Sequence, residues 1–323
     1  MTSSSDLGWI DEYSVASVRA ALARVDGRLR ALPLRLGRQP DLAHPAFAQG
    51  HAWVDGWMFA KLAFSKPTAA RIWHEARVVD VLGELAFPVP QAVQSSRDPA
   101  LVMTRRVEGG VPLSFDLVAS ATPEAFASIA DGLAGFLARL HSTDTFELLR
   151  ERLDGPLRSP DPGLQATTEA LRQRFAPLVE PHQREFVAQV CDWTDQQLAA
   201  PAEAVFVHGD FHPYNQLWDI AQIQLLAVTD FESSGVAEPE YDFRVLPVYG
   251  PGIDLLLATV DQYVALTGRA LNVERILALF VRTYLGDALW RTEAGIGLPE
   301  PGATPSEYVD ELAERFALLG IVP

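Results

Sequence analysis

The chain has 323 residues, 48% of them hydrophobic and 21% charged, a globular composition that excludes an intrinsically disordered chain. That length exceeds what a single hydrophobic core usually fills, so two lobes are expected. A net charge of −16 disfavours nucleic acid and anionic membranes as partners, and the single cysteine, Cys191, excludes an internal disulfide or a cysteine-built metal site.

At the start, Met1-Thr2-Ser3-Ser4-Ser5-Asp6 has neither a positive region nor an apolar core, so it does not read as a signal peptide. No apolar run reaches the roughly 20 residues of a membrane span, and a cytoplasmic protein is expected. Tyr13–Val25 carries Val15, Val18, Leu22 and Val25 at helical spacing. Trp53-Val54-Asp55-Gly56-Trp57-Met58-Phe59 is a hairpin signal, because Asp-Gly supplies the positive φ angles of a tight turn. Its second arm runs through Lys61 towards Lys66-Pro67. Thr68 is a candidate cap for a helix reaching about Leu85, with Ile72, Ala76, Val79 and Leu82 as its buried stripe and Glu75 beside that stripe. A buried-edge glutamate is costly unless a cation meets it; Lys61 is the nearest candidate and Lys66 the alternative.

Leu101-Val102-Met103-Thr104 reads as a strand, and Gly109-Gly110 with Pro112 as a flexible crossing. Helical spacing then dominates: Phe126, Ile129, Leu133, Phe136 and Leu140, followed by helices expected near 164–178, 182–199, 252–267, 272–291 and 305–318. Cys191 falls on one of them, where a buried inert thiol is expected. Three strand-like pieces interrupt the helices: Ala204–Val207, Gln216–Trp218 and Leu225–Thr229. The pattern predicts an α+β fold, with a small antiparallel sheet over residues 1–104, a mainly helical part over 105–323, and a hinge near 104–112.

The interrupting pieces carry the chemistry. Val207-His208-Gly209-Asp210-Phe211-His212-Pro213-Tyr214-Asn215 and Val228-Thr229-Asp230-Phe231-Glu232 each place acidic groups on a loop just after an apolar strand. Phosphoryl transfer needs such a set, because the work is positioning and charge neutralisation. Mg²⁺ prefers hard oxygen ligands, which Asn215 and Asp230 offer, and Asp210 would orient an acceptor hydroxyl.

His208-x-Asp210 with Asn215 matches the H-R-D-x-x-x-x-N pattern of protein kinases, and Asp230-Phe231 resembles their D-F-G. The chain resembles the aminoglycoside phosphotransferase family more closely. That family's H-G-D-x-H-x-x-N loop is reproduced by His208, Gly209, Asp210, His212 and Asn215, its D-F-E/G by Asp230-Phe231-Glu232, and its Y-D pair by Tyr241-Asp242. The helix ending Phe136-Leu137-Ala138-Arg139-Leu140-His141 is similar to one in that family. The resemblance spans about Lys61 to Asp242.

It implies a protein-kinase-like two-lobed fold, ATP or GTP as donor, Mg²⁺, and a small-molecule alcohol as acceptor. Asp210 would be the catalytic residue and Asn215 and Asp230 the metal ligands. Lys61, paired with Glu75, would hold the phosphates, and Met103 and Arg105 are the further candidate nucleotide contacts. His208, His212, Glu232 and Asp242 would support the site: His208 by bonding backbone, Asp242 by bracing the catalytic loop. Glu232 is left open between a substrate amine, the water shell of the metal and an arginine partner.

The family's glycine-rich phosphate loop is not evident between Leu36 and His51, where glycines are scattered among prolines. Arg105 and Arg106 also suit an ordinary solvated surface. His141 reads as a helix C-terminal residue. A histidine-based metallohydrolase centred on His208 and His212, and a catalytically silent pseudokinase, are the rival readings. For the acceptor, Asp287, Glu293, Glu300, Glu307, Asp310, Glu311 and Glu314 outnumber Arg291 and Arg315 and would suit an aminoglycoside, unless they form a solvated face. Phe280, Tyr284 and Trp290 would instead suit a macrolide-like alcohol. Sugars and amino alcohols are the metabolic alternatives.

Overall fold

The computed structural model describes residues 7–153, 156–248, 253–299 and 302–323. Met1–Asp6, Gly252 and Glu300, which enter the sequence reading, lie outside them. The chain divides into two compact units, and no single cut separates them. The first holds the residues through Pro112 together with Asp144–Arg158 and Pro213–Ser234; the second holds Leu113–Thr143, Ser159–His212 and the chain from Gly235 onward.

In the first unit, strands β1 (Leu34–Leu36), β2 (Gln49–Val54), β3 (Met58–Ala63), β4 (Ala92–Arg97) and β5 (Ala100–Arg105) form an antiparallel sheet in the order β1-β2-β3-β5-β4. The β2–β3 turn is the expected Asp55-Gly56, at φ 52° and 73°. Side chains alternate across a strand, so the two faces bury different partners. Ala60, Leu62, Leu101 and Met103 share a core with Val18, Ala21 and Leu22 of helix α1 (Val15–Val25). Ala63, Ala100 and Val102 on the other face pack against Ala69, Ile72 and Ala76 of helix α2 (Lys66–Glu84). Lys61 lies opposite Val102 and His51, and therefore on the α2 face.

Helix α2 starts earlier than the sequence suggested. Ser65 is its cap and Thr68 is the reciprocal partner three residues in. Pro67 does not delay the start, because the first helical turn has no use for the N–H that proline lacks. A smaller sheet, β6 (Val111–Pro112), β8 (Gln216–Asp219) and β9 (Gln224–Val228), also belongs to this unit. Its helix Thr143–Arg152 was not foreseen; only Thr145 and Leu149 are buried, too thin a stripe to read as periodicity.

The second unit is helical, apart from the antiparallel pair β7 (Val205–Val207) and β10 (Gly235–Ala237). Helix Pro123–Leu140 packs on Ile253–Thr267, and Val273–Glu293 packs on Arg184–Leu198 and Pro305–Leu318. Cys191 is buried in the latter core, where burial pushes its thiol up to about 11 and keeps it inert. The helix expected near 164–178 is replaced by a short helix Thr168–Ala170, a π-turn Leu171–Phe175 and a 3₁₀ turn Ala176–Leu178. Pro177 has no N–H to continue an α ladder there. Among the described residues no helix is long and apolar enough to cross a membrane.

Gly286 marks a close crossing. A Cβ there would stand 2.3 Å from Leu164 O and 2.6 Å from Ala166 N, both backbone atoms that cannot turn aside. Gly286→Ala should therefore destabilise the fold by about 1–3 kcal/mol in urea denaturation, although alanine is the better helix former by about 1 kcal/mol. A stabilised variant would contradict this crossing.

Candidate active site

The site grows from the end of the β8–β9 hairpin. Gln216 pairs with Val228, and one step further Thr229 N donates to Asn215 O at 2.8 Å. The ladder thus carries Asn215 and Asp230 to the same hairpin end. Asp230 has φ 68° and ψ 56°, a left-handed conformation uncommon outside glycine but tolerated by Asp. This turns the chain sharply just where its carboxylate meets β3.

Lys61 Nζ lies 2.8 Å from Glu75 Oε2, 2.5 Å from Asp230 Oδ1 and 3.0 Å from Glu232 Oε2. The first two contacts are hydrogen bonds donated by the ammonium; the third is an ion pair without hydrogen-bond geometry. Glu75 thus meets Lys61 rather than Lys66. The Lys61 side chain is only 5% exposed. Burial by itself would lower its pKa, but Asp230, Glu232 and Glu75 override that and hold the ammonium well above its usual range. Burial drives Glu75 and Glu232 upward, against the pull of Lys61. Arg71 Nε, from the same face of α2, stands 3.8 Å from Glu232 Oε1.

The Asp230 loop is tied to α2 at a second point. His74 Nε2 lies 3.0 Å from Ser234 O and 2.9 Å from Ser234 Oγ, and the Ser234 hydroxyl itself donates to Phe231 O at 2.6 Å. Arg158 donates to Glu232 O and, at 3.4 Å, to Ser234 O.

The donor chemistry fits a hard divalent cation. The oxygens of Glu75, Asp230 and Glu232 lie within 4.8 Å of one another, and Asn215 offers an amide at the same hairpin end as Asp230. The ammonium of Lys61 touches all three acids of the cluster, so a cation there would have to compete with it. Among the described residues no cluster of possible metal ligands contains a histidine. His208 Nδ1 accepts the Asp210 N–H at 3.1 Å, so that nitrogen serves the loop, as the structural reading of His208 expects.

The Asp210 loop, as far as His212, belongs to the second unit. It is fixed through its backbone. Asp242 accepts from His208 N at 2.8 Å and from Gly209 N at 2.9 Å. Arg244 donates to Gly209 O at 2.7 Å and to Tyr241 O at 2.6 Å. Gly209 has φ 85°, which a side chain would strain. His212 N closes the bend on Asp210 O at 2.7 Å. Phe211 stacks on Phe136, ring centroids 5.6 Å apart. Asp242 is wholly buried. Burial would raise its pKa, but the hydrogen bond and charge of His141, with His208 and the Gly209 N–H, hold the carboxyl below the usual range.

Three contributors to this bracing escape a sequence reading. His141, expected to be a simple helix end, is 2% exposed and meets Asp242 Oδ2 at 3.0 Å and the Tyr263 hydroxyl at 3.1 Å. Arg244 and Tyr263 complete the set, through contacts to Gly209 and His141 far away in the sequence. Met103 and Arg105 are not gathered with the nucleotide candidates Lys61 and Glu75. The Met103 side chain is in the α1-side core, and Arg105, two residues on, leans over Trp57 at 5.4 Å. Strand alternation puts both on the sheet face opposite Lys61.

The acidic C-terminal residues are largely committed within their own unit. Glu293 pairs with Arg174 and Asp287 with Arg291; Glu307 caps its helix; Asp310 accepts from Gln183; Glu311 accepts from Tyr284 and Arg315. Phe280 and Tyr284 stack with Tyr308 in the core.

Chain segments 51–271 match the profile of the phosphotransferase enzyme family. No curated protein sequence matches. Among solved structures, the GDP complex of wild-type aminoglycoside 2'-phosphotransferase-IIIa is similar at TM-score 0.68 and 19% identity, over 94% of this chain and 98% of that one. The streptomycin–ATP ternary complex of APH(2")-IIa is similar at 0.59 and 15% identity, over 96% and 100%. Aminoglycoside phosphotransferase APH(3'')-Id from Streptomyces rimosus is similar at 0.53 and 18% identity, over 84% and 97%. The fold is therefore the kinase-like fold of the aminoglycoside phosphotransferases, as the sequence predicts.

A folded-state pKa held low means that ionised Asp242 stabilises the protein above the unfolded carboxylate pKa, about 4, and that this contribution disappears as pH falls through the lower folded value. Asp242→Asn should cost about 3–5 kcal/mol at pH 7 in urea denaturation, and the gap to wild type should narrow on acidification below about pH 4. A gap independent of pH would contradict the ionised role.

Proposed function

This chain belongs to the phosphotransferase enzyme family, and from that premise we propose that it transfers the γ-phosphate of ATP or GTP to a hydroxyl of a small molecule, with Asp210 orienting the acceptor. It is a nucleotide-dependent phosphotransferase with an alcohol group as acceptor. The observation that carries the proposed site is the meeting of Lys61 with Glu75 and Asp230, residues from a strand, a helix and a hairpin end.

In this reading Glu75 holds the Lys61 ammonium, which contacts the α- and β-phosphates. Bound by the Asn215 amide and the Asp230 carboxylate, Mg²⁺ would supply neutralisation of charge on the β- and γ-phosphates. Asp210 accepts a hydrogen bond from the acceptor hydroxyl and aims its oxygen at the γ-phosphorus; such a group is typically worth about 10²–10⁴ in rate. Asp242 and Arg244 keep the Asp210 loop in place by gripping backbone, so the carboxylate does not have to be ordered during the reaction. Residues 1–104 would bind nucleotide, and 105–323 would carry catalysis and the acceptor.

An aminoglycoside is the first acceptor to test, because the similar structures are enzymes named for that class. Of the acidic tail, Asp287, Glu293, Asp310 and Glu311 are engaged in internal pairs, and Phe280 and Tyr284 are in the core rather than facing a pocket. Sugars and amino alcohols complete the panel, with diphosphate release above the acceptor-free background as the signal.

Asp210→Ala should abolish nearly all turnover while Mg-nucleotide still binds; full turnover in that variant would refute the role of Asp210. Asp230→Ala should weaken Mg-nucleotide binding by about tenfold or more, the size of a lost charged contact, in calorimetric titration. A titration curve matching wild type would remove Asp230 from the metal site.

A further inference from the structure

The scheme above leaves one buried carboxylate without a task. Glu232 is the residue that makes this segment Asp-Phe-Glu rather than Asp-Phe-Gly, and its side chain is 13% exposed. Around Lys61 the charges alternate: Glu75, Lys61, Glu232, Arg71. Helix α2 supplies both the acid Glu75 and the base Arg71, four residues apart and so on one face. These four side chains balance. Within the group of five, Asp230 is the additional carboxylate.

We propose that Glu232 is a positioning residue that retains Lys61 against α2 when the Asp230 carboxylate turns from the ammonium to a divalent cation. The proposal rests on the reading of Asp230 and Lys61 given above. In the structure Asp230 Oδ1 is held by Lys61 Nζ at 2.5 Å, so coordination of a metal by that oxygen competes with the ion pair. With Glu75 as the only other anchor, a nearly buried ammonium would lose its partner on the loop side, and an ion left short of partners in the interior is costly. Glu232 stands on that side at 3.0 Å and lowers the cost of releasing Asp230.

The loop geometry suits this task. His74 and Arg158 hold the backbone of Glu232 and Ser234, and Arg71 faces the second Glu232 oxygen. The Glu232 carboxylate therefore stays while the Asp230 side chain, two residues before it, turns. A glycine at this position could hold the backbone but offers no charge to Lys61.

The test is calorimetric titration of the purified full chain with ATP and with GTP over a series of Mg²⁺ concentrations. Glu232→Gln keeps the shape and removes the charge. It should require roughly tenfold more Mg²⁺ to reach half of the metal-dependent gain in nucleotide affinity, the effect of one lost contact to a charged group. Glu232→Asp withdraws the carboxylate by one methylene but leaves its charge near Arg71, and should shift the requirement in the same direction by less; it serves equally if the Gln variant fails to fold. A folded variant with the wild-type Mg²⁺ dependence, even if thermally weaker, overturns the inference and leaves the phosphotransfer reading standing. Wild-type protein that binds neither nucleotide at any Mg²⁺ concentration overturns that reading itself.

Discussion

A single buried ammonium organises the first unit. Lys61 is carried inward by strand alternation, which allows no choice of face once Ala60 and Leu62 are packed against α1. An ion at that depth is tolerated only among opposite charges. Strand β3, helix α2 and the loop after β9 must therefore all be in register before Lys61 is satisfied. The dependence runs both ways, because the largely buried Glu75 and Glu232 also need the cation. Few sequences would maintain such a group for stability alone, since well-packed apolar residues serve that end as well or better. Its concentration of charge makes sense where charge is to be exchanged with a phosphate and a metal.

The second unit solves a different problem with the same means. Between β7 and Pro213 the Asp210 loop has no regular secondary structure to hold it, and His208 and Gly209 at its start are buried. A wholly buried aspartate accepts two of its N–H groups and a buried arginine donates to one of its carbonyls. His141 in turn holds that aspartate, and Tyr263 holds His141. The result is a loop whose position is set by contacts to its backbone.

Much of this was legible from local pattern. The Asp55-Gly56 turn, the spacing on helix Pro123–Leu140 and the apolar runs before Asp210 and Asp230 are short-range signals, and each corresponds to an element close to its expected place. Errors came where local rules competed. Pro67 is accepted in the first turn, so α2 starts before the expected cap Thr68, and the helix expected near 164–178 gives way to π and 3₁₀ turns at Pro177. The acidic tail, read as a candidate wall, is mostly paired with arginines and hydroxyls distant in sequence or a turn away.

By itself the sequence determined the chemistry: which side chains carry oxygen, which loops they sit on, and the kinase-like pattern His208 to Asn215 with Asp230. Those features depend on residue type and spacing along a few consecutive positions, and no other part of the chain can alter them. Only the tertiary structure decided the partners. That Glu232 faces Lys61, that His141 supports Asp242, and that Met103 points away from Lys61 all depend on which faces of separate elements come together. Contacts across 101 residues, as between His141 and Asp242, or 169, as between Lys61 and Asp230, follow from packing and leave no periodicity in the chain.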